Sequence, residues 1–132
     1  YSPLSLESET DFYREQIESS SCLRFAILAD CVYVGNVFID RINNSAYGFG
    51  ELHTHILNKV FWGRDIGYEC NRLILEYAFR IAKMKGIYQY INPSNIAAWK
   101  NALKLGFKNI GVSSVRPNVH TFTIKKEQWI KE

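Results

Sequence analysis

Phe61-Trp62-Gly63-Arg64-Asp65-Ile66-Gly67-Tyr68-Glu69 is the stretch whose reading decides the fold. Trp62 to Gly67 is a loop by composition, with Gly63 and Gly67 bracketing charged residues. Behind it Ile66, Cys70, Leu73, Ile74, Tyr77, Ala78 and Ile81 recur at helical spacing, the strongest periodic signal in the chain. The helix is expected to stop near Lys85-Gly86. There Lys83 and Lys85 suit the negative end of the dipole, and Gly86 suits a left-handed cap. A strand running into a short glycine-containing loop that opens a long helix directs several free backbone N–H groups at one spot. The positive end of the helix dipole stands behind them, which suits phosphate or pyrophosphate. By itself the loop is equally a plain strand-to-helix connection, and Asp65 puts a negative charge where an anion would sit.

Outward from this loop the chain reads as alternating short elements. Glu7 to Ser20, polar with spaced Phe12, Tyr13 and Ile17, predicts a short amphipathic helix. Cys22 to Leu28 and Val32 to Ile39 predict strands, with Gly35 marking a bulge or a close backbone approach. Asn43-Asn44-Ser45 has hairpin-turn chemistry, and Phe49 to Leu57 predicts a third strand. On the other side, Ile87 to Ile91 predicts a strand. Asn92 to Asn95 is a turn feeding a helix that carries Ile96, Trp99 and Leu103 on one face and stops at Gly106. Phe107 to Val112 and Thr121 to Ile124 close the chain as strands, around a polar loop holding Pro117. The order is helix, three strands, then helix–strand–helix–strand–strand, a mixed α+β arrangement with a strand–loop–helix unit at its centre.

The 132 residues make one domain, 1–132, with no room for two cores. Charge is asymmetric: five Lys+Arg face nine Asp+Glu up to residue 66, and eleven face four after it. A basic second half can receive an anionic ligand or can simply be solvated. The basic residues form no arginine-rich block or stacking motif, so a nucleic-acid partner is not expected. No apolar run approaches the ~20 residues of a membrane span, and the start, Tyr1-Ser2-Pro3-Leu4, lacks a signal-peptide pattern. The absent initiator Met fits a processed or trimmed chain. Cys22, Cys31 and Cys70 are odd in number and lack CxxC spacing. They read as buried free thiols in a reducing compartment, hence a cytoplasmic protein with no metal site.

Three blocks then act together: Glu51-Leu-His-Thr-His-Ile-Leu57, Phe61 to Glu69, and Asn95-Ile-Ala-Ala-Trp-Lys-Asn-Ala-Leu-Lys-Leu-Gly-Phe107. In spacing and content they resemble the GNAT superfamily of acyl-CoA-dependent N-acyltransferases. The likeness is greatest to its branch with a Trp-Gly-x-Gly loop, which includes ribosomal-protein N-terminal and sugar-amine acetyltransferases. The resemblance covers about residues 32 to 112 and implies a mostly antiparallel sheet flanked by helices, with a central V-shaped splay. It implies that Trp62, Gly63, Arg64, Asp65, Ile66, Gly67 and Tyr68 hold the pyrophosphate of acetyl-CoA, with Arg64, Lys100 or Lys104 near the phosphates. Ile56 and Leu57 would pair with the pantetheine arm as an extra strand. Asn95 and Trp99 would meet it from the far side, although Asn95 alone reads as a helix cap.

Glu51 stands eleven residues before Trp62, where many family members place the carboxylate that deprotonates the attacking amine. The chemistry needs such a base, because an ammonium cannot attack a thioester. His53 and His55 alternate with Glu51 and are alternative bases; His120 has no better claim. Two departures stand out. Asp65 replaces the middle glycine of the loop, and Ala102 occupies the place where many relatives carry an acidic Tyr. The family also opens with a strand and helix for which there is little room, so an abbreviated or truncated N-terminus is expected. The resemblance implies acetyl transfer from acetyl-CoA to a primary amine by direct attack in a ternary complex. Peptide N-termini, amino sugars and small amines are open as acceptors, and a homodimer is the expectation by analogy. The rival reading is an inactive GNAT-like domain that senses CoA or binds a protein partner.

Overall fold

The computed structural model describes residues 3–5 and 10–14 as backbone, and 22–40, 48–57 and 65–130 with side chains. The strands are β1 (Pro3–Ser5), β2 (Thr10–Arg14), β3 (Leu23–Ala29), β4 (Val32–Asp40), β5 (Phe49–Ile56), β6 (Gly86–Ile91), β7 (Lys108–Val112) and β8 (His120–Lys125). The helices are α1 (Ile66–Glu76), which runs on as a π-helical turn over Tyr77–Ile81, α2 (Ile96–Leu105) and α3 (Lys126–Trp129). One sheet has the order β1-β2-β3-β4-β5-β6-β8-β7. Every neighbouring pair is antiparallel except β5 and β6, which α1 joins as a parallel crossover. The expected α+β sheet with flanking helices is what forms.

The core lies between one sheet face and the helices. α1 buries Ile66, Cys70, Ile74 and Ala78, the same stripe its periodicity marks. Opposite stand Ile27, Val37 and Ile39, with Ile87, Phe122 and Ile124 further along the sheet. Gly35 sits where β4 meets His55 of β5, and a Cβ there would overlap the His55 carbonyl oxygen. A close approach, foreseen for this glycine, is therefore the reason for it. The β3–β4 register shifts beside it, between Ile27 and Leu28.

Three expectations are corrected, and one element is new. The helix expected over 7–20 is contradicted at Thr10–Arg14, which pairs as β2 along β3. Three spaced apolar residues make a weak helical stripe, and pairing along the open edge of β3 overrides it. The long helix ends at Ile81, and the left-handed residue that follows is Lys83 (φ 59°), not Gly86. Gly86 instead opens β6, because a Cβ there would strike the Phe49 ring. Of the three free thiols only Cys70 is buried; Cys22 is half-buried and Cys31 exposed in the β3–β4 turn. Last, α3 was not foreseen: its Trp129 packs near Phe79, 6.4 Å between ring centroids, and donates its indole N–H to Glu76. The turn expected at Asn43-Asn44-Ser45 lies outside the described residues.

Gly35→Ala should lower stability by about 2 kcal/mol or more, since backbone must move to admit the methyl group. Urea unfolding should show a lower midpoint at unchanged slope.

Candidate active site

β5 and β6 pair over only Phe49–Glu51 and Gly86–Tyr88. Beyond Glu51 and Tyr88 the strands diverge, β5 staying on β4 and β6 on β8. The opening is a cavity of about 790 Å³ lined by β5, β6, the start of α1 and the first turns of α2. Strand alternation divides its walls. Leu52, Thr54 and Ile56 turn to the helical face with Gln89 and Ile91, whereas His53, His55 and Tyr90 turn to the other face, toward which Glu51, outside the lining, also points.

On the helical face stands the start of α1, where the anion site was expected. Asp65 precedes α1 in the left-handed region (φ 59°), and its side chain makes no capping bond. Its carbonyl accepts the Glu69 N–H at 3.0 Å, so the N–H groups of the first turn have no partner within the helix. Asp is one of the few residues besides Gly that adopts this conformation readily. Asp65, Ile66 and Gly67 line the cavity; Tyr68 lies in the same turn, with the Lys104 ammonium 4.2 Å from its ring centroid. Trp62, Gly63 and Arg64 lie outside the described residues. Lys100 is exposed on α2.

The Leu57 N–H donates to the Val34 carbonyl at 2.7 Å. By alternation along β5, the backbone groups of Leu52, Thr54 and Ile56 therefore face the open side. Of the two residues expected to pair with the pantetheine arm, Ile56 presents its backbone to the cavity and Leu57 turns its N–H to β4. Asn95 caps α2, as expected of it, its Oδ1 accepting the Ala98 N–H at 3.2 Å, and it lines the cavity. Trp99 stands apart, edge-on to His120 (4.9 Å) and Phe122 (4.8 Å). Ala102 is buried.

On the other face Glu51 is only 1% exposed. Its Oε2 lies 3.1 Å from His53 Nε2 and 3.4 Å from an Arg116 terminal nitrogen. The Arg116 guanidinium also covers the Tyr90 ring at 4.7 Å. Ser113 shapes the loop that delivers Arg116, its Oγ accepting the N–H groups of Val115 and Arg116. His53 is half-buried and stacks on Phe38 at 4.8 Å, with His55 beside it. Burial pushes the His53 pKa below 6.5 and outweighs Glu51 and Asp40, which raise it; His55 and Arg116 lower it further. A carboxylate only accepts, so His53 Nε2 carries the shared proton and Nδ1 is left as the ring's acceptor.

Residues 1–108 match the family described as Acetyltransferase (GNAT) domain. The chain belongs to the GNAT acetyltransferase family. It is an acetyl-CoA-dependent N-acetyltransferase that moves an acetyl group to an amine, as the resemblance implied, with acetyl-CoA as co-substrate. Among solved structures, spermidine N-acetyltransferase from Vibrio cholerae in complex with CoA and spermine superposes with TM-score 0.78. Identity is 18%, over 86% of this chain and 70% of that one. A dodecameric structure of the Vibrio cholerae enzyme gives TM-score 0.77 at 18% identity, over 85% and 69% of the two chains. At such identity the likeness carries the fold. No curated protein matches the chain in sequence. Among the described residues, no helix is long and apolar enough to cross a membrane and no cluster of side chains could hold a metal ion.

Sequence reasoning missed two residues of this candidate site. Arg116 reaches Glu51 from a loop 65 positions away, and no local pattern announces that contact. Gln89 had a signal: it is the polar member of the inward phase Ile87, Gln89, Ile91.

The His53 ring should titrate by NMR with a midpoint below 6.5. Glu51→Gln should lower that midpoint further, because it removes a raising charge. The sign for stability follows. Neutral His53 favours the folded state fully above pH 6.5, and this contribution is lost as pH falls through 6.5 toward the folded midpoint.

Proposed function

We propose that the chain transfers acetyl from acetyl-CoA to a primary amine by direct attack in a ternary complex, with Glu51 and His53 as the base. The observation that carries this is the position of the Glu51–His53 pair at the closed end of the β5–β6 opening, on the face away from α1. The donor supplies a thioester carbonyl activated for attack. The α1 N–H groups hold its pyrophosphate, aided by Lys104. The open-side backbone of Leu52, Thr54 and Ile56 pairs with its pantetheine arm, and Asn95 closes the far side. The fit is chemical: N–H groups without a partner inside the helix suit an anion, and backbone of a strand that β6 no longer pairs suits a chain that carries two amides.

On the opposite face His53 Nδ1 takes the proton of the attacking nitrogen. The C–N bond forms, the C–S bond breaks, and the sulfur leaves to be protonated by water, since Ala102 offers no acid. Glu51 accepts the Nε2–H and stabilises the ring once it is charged. Burial keeps the ring neutral and ready at rest, while Glu51 limits the loss of basicity. Arg116 balances the buried carboxylate. The acceptor enters from this face. The solved relatives are named for spermidine, so polyamines come first in a screen that also holds peptide N-termini and amino sugars. Self-association belongs to the same reading, given the dodecameric relative.

Thiol release from acetyl-CoA should be detectable on such a screen. His53→Gln and Glu51→Gln should each lower kcat by ~10²-fold or more with the Kd for acetyl-CoA unchanged. Full turnover in both variants would remove the pair from the mechanism. The acid limb of kcat/KM should follow the His53 midpoint, below 6.5. Asp65→Gly should tighten acetyl-CoA binding or leave it unchanged; a large loss of affinity, measured by calorimetry, would give the carboxylate a positive role.

A further inference from the structure

Gln89 is the first residue of β6's free run, one position beyond the last β5–β6 pair, Glu51 with Tyr88. It is only 9% exposed, so nine-tenths of it is out of water. Its Oε1 has no hydrogen-bond partner among the described residues, and the side chain lines the cavity. Its neighbours in phase, Ile87 and Ile91, are apolar and buried, as is Phe122 opposite it on β8. An apolar residue would fill that place without loss. A buried carbonyl oxygen left unbonded costs about 1–3 kcal/mol, and among the described residues nothing meets this one, so a donor on a ligand seated in the cavity would relieve that cost.

The chemistry of that ligand selects the contact. Oε1 requires a donor. The thioester group has none: its oxygen and sulfur only accept. The nearest donor on the arm is the amide N–H two carbons from the sulfur, and the strand opposite Gln89 presents backbone to the same arm. Resting on the acetyl-CoA reading above, we propose that Gln89 Oε1 accepts this amide N–H and fixes how deeply the arm enters between β5 and β6. Gln89 is thus a binding and positioning residue. The contact should serve CoA and acetyl-CoA alike, because both carry the amide.

The test uses the full chain with Gln89→Met, close to glutamine in shape, and Gln89→Leu as a second apolar variant. Unfolding is followed without ligand, and CoA and acetyl-CoA are titrated by calorimetry. Removal of the unsatisfied amide should raise the ligand-free unfolding temperature by ~3 °C. The Kd should rise about fivefold for both ligands, ~1 kcal/mol. A merely structural glutamine would show the opposite first result, a loss of stability, and that loss in both variants overturns the proposal. Unchanged affinity overturns it too. A weakening confined to acetyl-CoA would place the side chain at the thioester and also overturn it. Wild-type protein that binds neither ligand overturns the acetyl-CoA reading itself, and this proposal with it.

Discussion

Three register pairs hold β5 against β6, and the site exists because there are no more. β6 runs its whole length, Gly86 to Ile91, on β8, and β5 holds β4 from Glu51 to Ile56. Each strand is thus paired on its outer side, and past the third pair the two no longer pair with each other. Bare backbone away from water is costly, so two adjacent strands separate only where something else can occupy the gap. An arm with amide groups is such an occupant, because it can bond a strand edge as another strand would. The parting of the strands also opens a passage through the sheet. The α1 N-terminus lies on one face and the Glu51–His53 pair on the other, so in the proposed reaction donor and acceptor meet at the closed end without sharing an entrance.

At that end several electrostatic effects compete on one ring. Burial disfavours imidazolium, and His55 and Arg116 add repulsion; Glu51 and Asp40 pull the other way. Burial wins, and His53 rests neutral at neutral pH. Arg116 has a double part. It sits beside Glu51 as a countercharge for a carboxylate with almost no solvent access, and a buried carboxylate without a cation is far costlier than the pair. It also adds to the repulsion that keeps His53 uncharged. The Tyr90 ring and the Ser113 turn hold the guanidinium in place, so a loop with no regular structure takes part in setting the charge of a strand residue.

What could be read from sequence follows from which forces are local. The α1 stripe was legible because burying one helix face forces a period, and Gly35 because a close backbone approach leaves room for nothing larger. Glu51 was singled out by its distance from Trp62 within a recognised pattern and His53 by alternation with it, but their contact at 3.1 Å is visible only in the structure. β2 was not, because its strand conformation comes from β3, a partner its own residues do not reveal. The end of α1 was misplaced for a similar reason: Gly86 is required by the Phe49 ring, whereas the left-handed turn falls on Lys83, which no propensity favours. Arg116 meets Glu51 only through the β8 neighbourhood of the sheet. Gln89 lay between, visible as the wrong residue type in an inward phase, yet meaningless until a cavity appeared beside it.

Asp65 illustrates why a departure from a family pattern need not disable a site. The position requires a left-handed backbone, at φ 59°, and it must present the N–H groups that follow it. Both demands fall on the backbone, and Asp meets the first nearly as well as Gly does. The side chain is a separate matter. A carboxylate beside a helix N-terminus is favoured by the dipole, so in the free protein it competes with a phosphate for the same field. Had it formed a capping bond, binding would first have to break that bond. It forms none, and Asp65 is exposed, so the carboxylate can swing into solvent as the anion arrives. What remains is charge repulsion at the surface, which water and salt weaken, with Lys104 on the neighbouring helix to oppose it.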